Sequence, residues 1–171
     1  MTLKEKRKGF SYLVEALKYI YENYKEFNKK IKILTFGKLD GNLEGGIPYK
    51  IHQLGQIKNE NQLIVLYNSA NLYIEPSLQD NLPKTVLDSI SCGTPVVVFR
   101  VGGITDMITH NENGYLAELK SYKDLADGIV ELLSDSKLLK EMGNNCRQKV
   151  INLFEESKVA NQYLNLYQEL C

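Results

Sequence analysis

Short apolar runs alternate with amphipathic stretches along most of this 171-residue chain. The clearest run is PVVVF at residues 95–99, which lies between Gly93 and a turn at Gly102 and Gly103. A continuous β-branched run of this length is typical of a strand that is buried on both faces of a parallel sheet. Chains that repeat strand and helix in this way form βαβ units. The alternation therefore predicts an α/β fold.

The same patterns divide the rest of the chain into predicted elements. Strands are predicted at residues 31–37, 49–57, 71–75, 95–99 and 113–118. Helices are predicted at residues 10–21, 60–70, 83–92 and 103–108, and three more follow Ser121, the last of them at 156–171. Such a series predicts a Rossmann-like parallel sheet with helices on both faces. A doubly wound domain normally opens on a central strand. This sequence opens on the loop before a helix, so the sheet either lacks that strand or takes it from upstream of residue 1, which we favour.

Composition limits the size and the charge of the protein. A chain of 171 residues suits one domain with a sizeable core. The 21 basic side chains equal the 21 acidic ones, so no overall field favours nucleic acid or an acidic membrane surface. Three separated cysteines without a CxxC pair argue against a zinc site or a disulfide framework. With no signal peptide and no membrane-length apolar run, we expect a cytoplasmic protein that binds no nucleic acid.

Two aspartates flank the start of the helix predicted at 83–92. Asp80 lies in the loop before the helix and Asp88 lies inside it, whereas Pro83 stands where its missing N–H costs nothing. Free N–H groups and the helix dipole favour an anion such as phosphate at this point. The aspartates are expected on the order of 10 Å apart, since a helical residue rises about 1.5 Å. This spacing suits the hydroxyls at two ends of an extended ligand.

The residues alone leave two interpretations of this pair open. In the first, Asp80 caps the helix and Asp88 is a solvated helix acid. In the second, a phosphate lies between two hydroxyl-binding carboxylates, which is the outline of a nucleotide-sugar.

A longer string carries a more specific signal. Residues 70–118 read ANLYIEPSLQDNLPKTVLDSISCGTPVVVFRVGGITDMITHNENGYLAE. This string resembles the C-terminal half of retaining nucleotide-sugar glycosyltransferases of the GT-B fold, often called family 4 or group 1. The PS, CGTPVV, GGI and NG landmarks occur in the order and at the intervals of that family. RKGF at residues 7–10 also resembles the KG segment with which the same domain begins.

The resemblance implies that residues 1–171 are a donor-binding domain, one half of a GT-B enzyme. It implies transfer from a UDP- or GDP-sugar, with retention of configuration and without a metal ion, to a glycan or a lipid-linked glycan. The acceptor would bind to an N-terminal domain that is missing here, so we expect this chain alone to bind nucleotide weakly and to transfer nothing. Through that other domain the enzyme would lie at the inner face of the membrane and build polysaccharides or glycoconjugates.

The last helix, within residues 155–171, resembles the segment that crosses back to the N-terminal domain in such enzymes. It carries an apolar stripe of Tyr163, Tyr167 and Leu170. We expect this stripe either to be exposed and to support self-association, or to pack on the domain's own sheet.

The family's site residues can be carried over to this chain. By resemblance, Asp80 faces the donor sugar and Lys8 neutralises the leaving diphosphate, and these two are the predicted catalytic residues. The predicted donor-binding groups are the Asp88 carboxylate for the ribose, the backbone around Leu82, Lys84 and Thr85 for the diphosphate, and the backbone near Gln56 and Ile57 for the base.

The sequence also departs from the family pattern. Asp80 and Asp88 stand where the family has glutamate, as does Asp106, and Thr2 stands where the family has an arginine. Two alternatives stay open. The shorter acids and the lost charge suggest a non-catalytic nucleotide-sugar-binding or scaffold module. The other alternative is a nucleotide-sugar epimerase, whose GT-B fold is similar, although the sequence offers no motif for its acid and base residues.

Overall fold

The computed structural model describes residues 6–37 and 46–170. The strands are β1 (Lys32–Thr35), β2 (Lys50–Gln53), β3 (Tyr73–Glu75), β4 (Val96–Phe99) and β5 (Gly114–Ala117). The helices are α1 (Phe10–Asn23), α2 (Glu60–Ser69), α3 (Lys84–Ser91), α4 (Ile104–Met107), α5 (Tyr122–Ser134), α6 (Ser136–Leu153) and α7 (Glu156–Leu170). Single 3-10 turns at Lys6–Lys8 and Lys25–Phe27 were not predicted. Every predicted strand and helix is confirmed, although the strands are shorter than the patterns indicated.

All five strands pair in parallel, in two sheets. β1 pairs with β2, and β4 lies between β3 and β5. In a doubly wound sheet the first strand lies between the two halves. Within residues 6–37 and 46–170 no strand occupies that place. The central strand expected from upstream therefore stays a prediction.

The core is centred on β4. All four of its residues are buried, and because successive side chains point to opposite faces, the strand is covered on both sides. α5 contacts both β4 and β5, and α1 packs against α5. On α5, Leu125, Ile129 and Leu132 are buried at a spacing of three and four residues, which is the stripe of a helix with one face in the core. The predicted arrangement of helices on a parallel sheet is confirmed.

The last helix lies outside this core. None of the residues of α7 is buried, and its apolar side chains face outward. The exposed set is Tyr163, Leu164, Leu166, Tyr167 and Leu170. The expectation that this stripe packs on the domain's own sheet is therefore wrong, because α7 touches little more than α6. Across the described residues, no helix combines the length and the apolar content that crossing a membrane requires.

Leucine substitutions on α5 and α7 test this division between core and surface. Leu132 is fully buried, so Leu132→Ala leaves a cavity and is expected to lower the free energy of unfolding by about 2–5 kcal/mol. Leu164 is 56% exposed, so Leu164→Ala makes the same chemical change with an expected loss of about 0.5 kcal/mol or less. Urea denaturation measures both. Equal losses would contradict the exposed position of α7.

Candidate functional site

Three loops meet near the carboxyl ends of β3 and β4, and backbone contacts join them. The Leu78 N–H donates to the Arg7 carbonyl at 2.7 Å, which ties the turn before α1 to the loop after β3. Gly9 is the N-cap residue of α1 and lies in the left-handed region, with φ at 62°. A Cβ on Gly9 would lie 1.8 Å from the Pro76 carbonyl oxygen, so only glycine permits this approach. The KG and PS segments are therefore adjacent because their backbones touch.

The turn after β4 supports the same loop from another side. Gly102 has φ at 48°, and a Cβ there would lie 2.0 Å from the Asp80 carbonyl oxygen. The backbone of Asp80 is thus in direct contact with the glycine turn. This contact gives the GG pair of the sequence a physical role, because it holds the loop that carries the first predicted acid.

The two predicted catalytic residues are in contact with each other. Lys8 Nζ donates to Asp80 Oδ2 at 3.0 Å, and both side chains are half-buried. A second carboxylate lies nearby, since Lys8 Nζ is 3.9 Å from Glu75 Oε1. The Lys8 ammonium is therefore paired with two acids at the end of β3.

Glu75 was not predicted as a site residue. It is 7% exposed, and its carboxylate accepts hydrogen bonds from the hydroxyls of Ser77 at 2.6 Å, Tyr73 at 2.8 Å and Thr85 at 3.2 Å. Burial, followed by the charge of Glu75, raises the pKa of Tyr73 well above its usual value, so the phenol stays a donor. The sequence did contain a signal: Glu75 is a lone acid that ends the otherwise apolar strand NLYIE.

The second predicted acid forms its own ion pair at the start of α3. Lys84 Nζ lies 3.2 Å from Asp88 Oδ2, one helical turn away. The Lys84 side chain is 81% exposed, so this pair contributes about 0–1 kcal/mol and a ligand can displace it. Pro83 offers no side-chain cap, which leaves the N–H groups of Lys84 and Thr85 available to an anion.

The predicted base-binding residues lie in a different loop. Gln56 and Ile57 follow β2, with Gln56 exposed and Ile57 half-buried. Within the described parts of the chain, no hydrogen bond or ion pair joins them to Lys8, Asp80 or Asp88. Thr2 and most of the glycine-rich loop at 37–46 lie outside the described residues. Among the residues that are described, no group of three His, Cys, Asp or Glu side chains could hold a metal ion.

Comparison with known proteins identifies the class. The pattern of the family described as "Glycosyl transferases group 1" matches residues 4–149. The fold agrees: the C-terminal domain of a group 1 glycosyltransferase from Francisella tularensis superposes with a TM-score of 0.74 at 22% identity, covering 91% of this chain and 84% of that one. This chain belongs to the group 1 glycosyltransferase family and has the fold of the C-terminal half of a GT-B enzyme.

Curated relatives are longer than this chain. It is 30% identical over 167 residues to a glycosyltransferase of Methanocaldococcus jannaschii, covering 95% of this chain and 42% of the relative. It is 26% identical over 166 residues to the UDP-Gal:alpha-D-GlcNAc-diphosphoundecaprenol alpha-1,3-galactosyltransferase of Escherichia coli, covering 93% of this chain and 42% of that enzyme. The chain thus spans less than half the length of these relatives.

A pair of glycines tests the contact that forms the site. Gly9 and Gly55 have nearly the same φ, 62° and 68°, but a Cβ on Gly55 would meet nothing within 4 Å. Gly55→Ala is expected to cost about 1 kcal/mol of unfolding free energy from backbone strain alone. Gly9→Ala adds a clash with Pro76 and should cost at least about 1 kcal/mol more, measured by urea denaturation. Indistinguishable losses would mean that the close contact is absent in solution.

Proposed function

We propose that this chain is the donor-binding domain of a retaining hexosyltransferase that uses a UDP- or GDP-sugar. The observation that carries the proposal is the contact between Lys8 and Asp80 beside the uncapped start of α3. An ammonium and free helix N–H groups suit a diphosphate, and carboxylates suit the hydroxyls of a sugar and a ribose. The site therefore offers a group of the right chemistry for the sugar, the diphosphate and the ribose of a nucleotide-sugar.

Donor binding exchanges partners within the two ion pairs. The diphosphate takes Lys8 from Asp80, which leaves the Asp80 carboxylate to accept hydrogen bonds from the sugar hydroxyls. In the same way Asp88 leaves the exposed Lys84 and accepts from the ribose, while Leu82, Lys84 and Thr85 offer backbone N–H groups to the diphosphate. The loop at Gln56 and Ile57 receives the base. As the glycosidic bond breaks, negative charge grows on the departing nucleoside diphosphate, and Lys8 stabilises it there.

The rest of the enzyme is proposed from its relatives. The Escherichia coli relative is named for UDP-galactose and a lipid-linked acceptor, which supports UDP as the donor nucleotide and a glycan or lipid-linked glycan as acceptor. Relatives more than twice as long support a second domain that binds this acceptor. The exposed stripe on α7 suits a contact with that domain, or self-association of the chain without it. Such an enzyme works in the cytoplasm at the inner face of the membrane.

Nucleotide binding by the 171-residue chain tests the proposal. Asp88→Ala should weaken UDP or GDP binding about tenfold or more in calorimetry, because the ribose loses a charged hydrogen-bond acceptor. Asp127→Ala on α5 makes the same change at an exposed acid outside the site and should leave the affinity unchanged. EDTA should also leave the affinity unchanged, since the proposed site uses no metal ion. Absence of heat with every nucleotide would favour the scaffold alternative.

An activity assay on the isolated chain tests whether it needs a second domain for catalysis. We expect no release of UDP or GDP from the corresponding sugars, because the acceptor site lies on the second domain. A nucleotide-release assay measures this, and sedimentation of the same sample shows whether α7 supports self-association. Turnover at an enzymatic rate would contradict the assignment of a separate acceptor domain.

A further inference from the structure

Lys8 has two acidic partners, and they differ in how firmly they are held. The Asp80 side chain is 19% exposed, and within the described residues Lys8 is its only side-chain hydrogen-bond partner. The Glu75 carboxylate is buried and receives three hydroxyl hydrogen bonds. Asp80 can therefore turn away from Lys8 without losing another bond, whereas Glu75 cannot.

The surroundings of Glu75 fit an ionised carboxylate. An ionised carboxylate only accepts hydrogen bonds, and the hydroxyls of Tyr73, Ser77 and Thr85 all donate to it. A buried charge without a counter-ion is strongly unfavourable, and the Lys8 ammonium 3.9 Å away supplies that counter-ion. The three hydroxyls fix the orientation of the Glu75 carboxylate. Its negative charge therefore attracts the Lys8 ammonium from a fixed position.

We propose that Glu75 is a positioning residue that keeps the Lys8 ammonium at the carboxyl end of β3 while a donor diphosphate replaces Asp80. This role rests on the proposed function of Lys8. Without the charge of Glu75, Asp80 alone balances Lys8 and draws it toward the loop. An incoming diphosphate must then break a tighter Lys8–Asp80 pair. The Lys8 ammonium is also no longer held at one position where the diphosphate can bind it.

A double-mutant cycle read by UDP affinity tests this role. Glu75→Gln keeps the size of the side chain and should weaken UDP binding about five- to tenfold. In the Lys8→Met background, which itself binds UDP more weakly, the same substitution should have no further effect, because Glu75 acts through Lys8. A merely structural role of Glu75 predicts the same loss in both backgrounds. UDP without its sugar is the appropriate probe, since it leaves the sugar contact of Asp80 out of the measurement.

Two further variants support the cycle. Glu141→Gln changes the net charge equally at an exposed position on α6 and should leave UDP affinity unchanged. Tyr73→Phe removes one hydroxyl from Glu75 but keeps the ring, which packs at 5.6 Å from the Tyr67 ring. It should weaken UDP binding in the same direction as Glu75→Gln but less, and again only when Lys8 is present. If Glu75→Gln does not fold, the cycle of Tyr73→Phe with Lys8→Met decides the question.

The outcomes separate this inference from the proposed function. Tighter UDP binding by Glu75→Gln, or an equal loss in the Lys8→Met background, overturns the positioning role. A wild-type chain that binds neither UDP nor GDP contradicts the proposed function instead. The same cycle in urea denaturation then tests the part of the inference that needs no nucleotide, the coupling of Glu75 to Lys8: non-additive losses support it, and additive losses overturn it.

Discussion

The contact between Gly9 and the Pro76 carbonyl decides where the lysine of the site lies. A Cβ on Gly9 would lie 1.8 Å from that oxygen, and glycine has no Cβ. The turn before α1 can therefore approach the loop after β3 closely enough for the Leu78 N–H to donate to the Arg7 carbonyl. Lys8 is adjacent to Gly9 in the chain, so the same contact places its ammonium at the end of β3. Gly102 acts similarly on the Asp80 loop. Backbone contacts bring the loops of the site together, and they set the positions of its charged side chains.

Both lysines of the site are paired with carboxylates. Lys8 pairs with Asp80 and Glu75, and Lys84 pairs with Asp88. Two of these contacts have a partner that can move away, since Lys84 is 81% exposed and Lys8 is the only side-chain hydrogen-bond partner of Asp80 within the described residues. An anion can therefore replace Asp88 at Lys84 or Asp80 at Lys8, whereas Glu75 is held by three hydroxyls. In the proposed function, a diphosphate that binds the lysines would release the carboxylates that the hydroxyls of the donor need. The proposed recognition of the sugar and the ribose would in this way be linked to recognition of the diphosphate between them.

The sequence predicted the strands and helices better than it predicted the tertiary contacts around them. Periodicity and β-branched runs predicted β4 and the buried stripe of α5, because these features depend on local spacing in the sequence. Motif resemblance predicted Lys8, Asp80 and Asp88 as site residues, but the ion pair across 72 residues between Lys8 and Asp80 depends on tertiary structure. Glu75 was missed because its significance arises from the hydroxyls around it, and Thr85 lies ten residues away. The exposure of α7 likewise cannot be read from its apolar stripe, since a packed helix has the same pattern.

The shorter side chain of Asp80 still forms an ion pair with Lys8. Asp80 is one methylene shorter than the glutamate of the family pattern, yet its carboxylate reaches Lys8 at 3.0 Å. It does so from a loop whose backbone rests on Gly102 and therefore cannot retreat toward the sheet. A glutamate at the same place would need a different side-chain conformation to bring its carboxylate to the same point. The aspartate thus fits a loop that is held close to Lys8 by its backbone contact with Gly102.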